Sequence, residues 1–75
     1  MNESLRGWMR LLNGDYIRKY RMTDEDKARK KAFRAKECGI RNVLVEQDVK
    51  TGYWWVVLTH GAKPTNAAQQ YIDNK

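Results

Sequence analysis

The chain has 75 residues, a net charge of +6 and a single cysteine, Cys38. That length means one domain, residues 1–75, with a modest core, no disulfide staple and no Cys-rich zinc site. The charge is uneven: residues 1–41 carry twelve Lys/Arg against six Asp/Glu, and residues 42–75 carry three of each. A basic half joined to a neutral half fits a polyanionic or acidic partner, and equally fits a solubilising face.

The opening "MNESLRGWMRLL" has neither the basic start nor the long apolar run of a signal peptide. No later stretch is apolar and long enough to span a bilayer, so a soluble, intracellular protein is expected. Leu5, Trp8, Met9 and Leu12 have the i, i+3, i+4, i+7 spacing of a helix face, with Arg6 and Arg10 opposite and Asn13-Gly14 as the stop. This segment, about 1–14, reads as an interaction helix, because Trp and Arg are frequent interface anchors. Its Leu5, Arg6, Trp8, Met9 and Leu12 are candidate partner contacts. The plainer reading is that the helix covers one face of a sheet.

"DYIRKYRM" fits either period. As a strand it puts Tyr16, Arg18, Tyr20 and Met22 on one face and Ile17, Lys19 and Arg21 on the other. As a helix it clusters Tyr16, Ile17 and Tyr20. A strand over 16–22 is preferred because Thr23 starts a new element. "TDEDKARKKAFRAKECG" is a helix: Thr23 suits the N-cap, Asp24, Glu25 and Asp26 suit the positive end of the dipole, and Gly39 suits the stop. Ala28, Ala32, Ala35 and Cys38 form a small-residue stripe with Phe33 and Ile40 beside it. Lys27, Lys30, Lys31 and Arg34 form a basic ridge.

"NVLVEQDVKTGYWWVVLTH" reads as a β-hairpin over about 42–59. A four-residue turn after Asp48, ending on Gly52, pairs Asp48 with Tyr53, Val45 with Val56 and Val43 with Leu58. Val43, Val45, Trp54, Val56 and Leu58 then share one face. Leu44, Glu46, Asp48, Tyr53, Trp55, Val57 and Thr59 share the other. A three-residue turn, Lys50 to Gly52, would slip the register by one and exchange Trp54 with Trp55. "TNAAQQYIDNK" closes the chain as a short helix capped by Thr65 or Asn66, with Ala68, Tyr71 and Ile72 as its apolar face. The expected class is α+β: a small antiparallel sheet packed with two or three helices.

Little of this points to catalysis. Cys38 falls on the small-residue stripe, where a structural thiol is expected, and His60 sits at a strand end. Asp24, Glu25 and Asp26 serve a helix start rather than a metal, and no glycine-rich phosphate loop appears. No enzyme activity, cofactor or metal is expected. Two surfaces remain. Arg18, Lys19, Arg21, Lys27, Lys30, Lys31 and Arg34, with Arg41 nearby, could face nucleic acid through salt-sensitive phosphate contacts, or simply be solvated. Tyr16, Tyr20, Tyr53 and Trp55 could stack bases, or serve as core and sheet cover.

The opening "MNESLRGWMRLLNG", the basic helix and the "KTGYWWVVL" hairpin together resemble the small host-takeover transcription regulators of lytic Xanthomonas phage. The resemblance spans essentially the whole chain and has no diagnostic motif. It implies a protein of the host cytoplasm, working as a monomer, that binds bacterial RNA polymerase. Such a protein inhibits initiation at some promoters and suppresses termination together with the elongation factor NusA. It would also imply that Leu5, Arg6 and Trp8 dock on the N-terminal part of the polymerase β′ subunit. The basic ridge would then lie near the RNA exit channel, against nascent RNA. The rival expectation is a small basic protein that acts directly on DNA or RNA. An assembly role comes third.

Overall fold

A computed structural model describes residues 7–73. Leu5 and Arg6 lie outside the described residues. Four strands, β1 (Met9–Arg10), β2 (Tyr16–Met22), β3 (Asn42–Gln47) and β4 (Trp54–His60), form one sheet with two helices, α1 (Glu25–Glu37) and α2 (Asn66–Asp73). The class is α+β. The strand order is β1-β2-β4-β3, and every neighbouring pair is antiparallel. β2 and β3 therefore run parallel on either side of β4, with α1 carrying the chain between them.

The β3–β4 hairpin has the four-residue turn. Asp48 N–H donates to the Tyr53 carbonyl at 2.9 Å, and Gly52 N–H donates to the Asp48 carbonyl at 2.7 Å. Asp48 Oδ1 also accepts from Lys50 N–H at 2.9 Å, an Asx turn that fixes the loop. Val43 sits opposite Leu58, Val45 opposite Val56 and Gln47 opposite Trp54. Trp54 therefore faces the core and Trp55 the other side.

α1 begins one residue later than its sequence suggests. Asp24, not Thr23, is the N-cap, and its carboxylate accepts from Asp26 N–H at 3.4 Å. At the other end Gly39 adopts φ +86°. Gly39 N–H donates to the Lys36 carbonyl and Ile40 N–H to the Ala35 carbonyl, at 3.0 and 3.1 Å. This is the paired closure of a Schellman motif, which needs a left-handed residue after the cap. In α2 the cap is Thr65, whose Oγ1 accepts from Ala68 N–H at 3.2 Å.

Residues 8–12 do not form the expected helix. Met9 and Arg10 pair with Ile17 and Tyr16 as an edge strand. Asn13-Gly14 is a hairpin turn rather than a helix stop: Gly14 has φ +95°, Asn13 Oδ1 accepts from Asp15 N–H at 2.9 Å, and Leu11 N–H reaches the Asp15 carbonyl at 2.7 Å. Pairing with β2 supplies backbone partners that a short, glycine-interrupted helix would have had to find alone.

The core lies on one face of the sheet. Val56 and Leu58 from β4 meet Ala28, Ala32 and Ala35 from α1, with Trp8, Ile40 and Ile72 closing the sides. Alanines at these helix positions let α1 lie close to the strands, and burial of the branched side chains contributes about 2 kcal/mol each. Tyr16, Tyr20, Met22, Val43, Val45 and Trp54 complete this face at partial burial.

Candidate functional site

Alternation along the strands sends Ile17, Lys19 and Arg21 of β2 to the face away from the helices. Trp55, Val57 and Thr59 of β4 join them, with Asn42, Leu44 and Glu46 of β3 and Met9 of β1. None of these residues is buried, and Leu44 is 51% exposed. Cross-strand rows run Lys19–Val57–Leu44 and Arg21–Trp55–Glu46. Beside the second row the Arg21 guanidinium lies 4.6 Å from the centroid of the Tyr53 ring. That geometry is a cation–π contact, and it holds the arginine against the sheet. The result, among the described residues, is a half-exposed surface that is cationic and aromatic around Trp55, with Glu46 at its edge.

The expected nucleic-acid residues divide among three places. Lys19 and Arg21 stand on the open face. Lys27 and Lys30 are exposed on the outer side of α1, and Arg34 beside them is half-buried. Arg18 and Lys31 turn inward, to the helix-covered side. The Lys31 ammonium donates to the Ile72 carbonyl at 3.2 Å and sits 4.6 Å from the Tyr20 ring centroid, while Arg18 lies 4.5 Å from the same ring. Both approach Asp73, at 3.9 Å for Arg18 and 4.0 Å for Lys31. Arg41 is paired with Asp15 at 2.5 Å. The four aromatic candidates divide too: Tyr53 and Trp55 face outward, and Tyr16 and Tyr20 belong to the core side.

Trp8, expected as a partner contact, is only 3% exposed. Its indole N–H donates to Gln69 Oε1 at 2.6 Å. The Gln69 amide reaches Tyr20 Oη at 3.1 Å and Asp73 Oδ2 at 2.8 Å, and Tyr20 donates to Asp73 Oδ1 at 2.7 Å. This chain of bonds ties the start of the sheet to α2. Burial, helped by the bond to Asp73, pushes the Tyr20 phenol up to about 12. For Asp73 burial acts upward, but the Gln69 and Tyr20 hydrogen bonds and the Arg18 and Lys31 charges outweigh it and hold the carboxyl below its ordinary value. Gln69 and Asp73 carried no signal in the sequence, because their role exists only once β2 and α2 meet. Met9, Leu11 and Leu12, by contrast, are exposed at the β1–β2 corner beside Arg10.

α2 and α1 also present Tyr71 and Phe33 outward, against the expectation that Tyr71 joins the apolar face. Tyr71 is 45% and Phe33 62% exposed, and they border a shallow groove with Lys30, Arg34 and Glu37. The Tyr71 hydroxyl is hydrogen-bonded to Glu37, which raises its pKa. The Cys38 thiol points to the Ala68 carbonyl at 3.8 Å, and His60 Nδ1 accepts from Arg41 N–H at 3.1 Å. Neither has a second reactive group as its hydrogen-bond partner. Among the described residues no group of three or more His, Cys, Asp or Glu side chains is placed to hold a metal ion, and no helix is long and apolar enough to cross a membrane. No protein-family model, curated protein or solved structure matches the chain.

Proposed function

We propose that this protein is a non-enzymatic regulator that binds bacterial RNA polymerase in the host cytoplasm and modulates transcription. It would inhibit initiation and oppose termination near the RNA exit channel, docking on the N-terminal region of β′ and cooperating with NusA. The observation that carries the partner is the resemblance of "MNESLRGWMRLLNG" and "KTGYWWVVL" to phage regulators of this kind. The geometry supports a docking role for the N-terminal corner. Met9, Leu11 and Leu12 stand exposed there, with Arg10 exposed on the opposite side of β1, and exposed apolar side chains next to an arginine suit a protein partner. Trp8 anchors that corner from beneath instead of reaching the partner.

The test follows from this division. Changing Trp8 would disturb the fold and mislead, so the informative variant is Leu5→Ala, Arg6→Ala, Met9→Ser and Leu12→Ser together. We expect a stable complex with purified polymerase, weakened at least about tenfold in that variant, with unchanged circular dichroism. Absence of any complex at micromolar concentration would overturn the reading.

A further inference from the structure

From the open face of the sheet we infer a binding site for single-stranded nucleic acid, centred on Trp55, Tyr53, Lys19 and Arg21. The site lies on the same sheet face as Met9 of the docking corner but is made of other residues, and the inference stands whether or not the protein binds polymerase.

Three observations combine. Lys19, Arg21 and Trp55 come from the two central strands, β2 and β4, and so sit on firmly paired backbone, with Tyr53 just before β4 at the end of the hairpin turn. Trp55 and Tyr53 come from one chain segment, two residues apart, and Lys19 and Arg21 come from the neighbouring strand at the same interval. At about 3.4 Å per residue each pair is separated by roughly 7 Å, a spacing that an extended, unstacked strand can follow. The Arg21 guanidinium covers one face of the Tyr53 ring, so a base would stack on Trp55 or on the outer side of that guanidinium, which also offers donors to phosphate. Bases have π-faces whatever their identity, and stacking on such a platform is tolerant of sequence.

Charge and shape argue against other occupants. A duplex hides its base faces inside the stack, so the half-exposed rings of Tyr53 and Trp55 would gain little from it. A second copy docked face to face would bury Lys19 and Arg21 from both molecules in one interface, at a desolvation cost. Phosphates beside Lys19 and Arg21, with bases over Trp55 and Val57, would match the cations and the apolar residues of the face, and the strand would run on the β2 side of Trp55, away from Glu46 on β3.

The experiment uses the whole chain and a fluorescein-labelled single-stranded RNA of about twelve nucleotides, a length within the usual site size, read by anisotropy at about 50 mM salt. Polymerase is absent, so failure here leaves the docking reading untouched. Trp55→Ala should weaken binding about tenfold or more, and Trp55→Phe, which keeps a ring, should restore most of it. Lys19→Ala with Arg21→Ala should weaken binding and make the salt slope shallower by about 1.4, the value for two phosphate contacts on a single strand. A blunt-ended duplex of the same length should bind more weakly. Circular dichroism checks that each variant is folded. The inference is overturned by no binding at about 100 µM protein, since even non-specific contacts reach that range. It is equally overturned if Trp55→Ala binds like the parent, if the duplex binds as tightly, or if Lys27→Ala, Lys30→Ala and Arg34→Ala abolish binding while Lys19→Ala with Arg21→Ala does not.

Discussion

The two faces of this sheet share the same strands and differ only in the parity of their residues. One face puts Tyr20, Met22, Trp54, Val56 and Leu58 under α1 and α2. The other alternates Ile17, Lys19 and Arg21 with Trp55, Val57 and Leu44, and none of them is buried. The first face is filled mainly by apolar and aromatic groups, and the cations Arg18 of β2 and Lys31 of α1 are held around Tyr20 and Asp73. The second mixes apolar and charged groups, and among the described residues neither helix packs on it. A small domain can spare one face of its sheet for recognition only if the other face carries almost all the stability.

The largest test of that division is Trp8→Ala. Its ring is buried and its indole N–H is the first bond of the network running to α2. Loss of about 3–5 kcal/mol is expected. That is a large share of the total for a domain of this size, and urea unfolding should show it as a lowered midpoint or as loss of the native baseline. A cost below about 1 kcal/mol would mean that residue 8 is peripheral and that the N-terminal corner does not depend on it.

The adjacent tryptophans give a smaller contrast within one strand. Trp54→Ala should cost about 2 kcal/mol, because the ring packs on the core although it is not fully enclosed. Trp55→Ala should cost under about 1 kcal/mol. Thermal melts of the two single variants decide it. Equal losses would mean that both faces are load-carrying in solution.

The hairpin register was legible because its information is local: Asp48 and Gly52 specify the turn, and the turn specifies which tryptophan points inward. α1 was legible from its acidic start, its alanine stripe and Gly39, with a one-residue shift at Thr23–Asp24 where two good caps compete. The start of the chain misled because Leu5, Trp8, Met9 and Leu12 keep helical spacing while Met9 and Arg10 pair with a strand. Periodicity cannot see a non-local partner. The same limit applies to the candidate site. Lys19, Arg21, Tyr53 and Trp55 could be named from the sequence, but not separated from Arg18, Lys31, Tyr16 and Tyr20, whose inward placement depends on α1 and α2 lying on one side.

On the covered side, Asp73→Asn should cost about 1 kcal/mol at neutral pH, since its partners remain partly hydrated. Its pH signature is more telling than its size. The Asp73 carboxyl is held below its ordinary 3.8, so its contribution is present above that pH and lost as the pH falls through the folded-state value. Tyr20 is raised from 10.0 to about 12, so its contribution is present below pH 10 and lost as the pH rises towards 12. Asp73→Asn should flatten the acid limb of the stability profile. It should also lower the midpoint of the Tyr20 tyrosinate absorbance, because the bond to Asp73 favours the neutral phenol. An unaltered tyrosinate titration would break the link between β2 and α2.

The smallest effect is expected on the open face, and its smallness is the point. Leu44 is 51% exposed, opposite Val57 on an edge strand. Leu44→Thr keeps a residue suited to strands while removing apolar surface, so stability should move by no more than about 0.5 kcal/mol. A loss above about 1.5 kcal/mol would show that this face is covered in the isolated protein, since an exposed leucine has no such energy to lose. Sedimentation of the same sample then identifies the cover: a second copy if the parent is dimeric and the variant monomeric, or the chain itself if both are monomers. Either result would remove the open face as a recognition surface. A neutral result leaves Trp55 and its cationic neighbours facing solvent, on a side of the sheet that contributes little to stability.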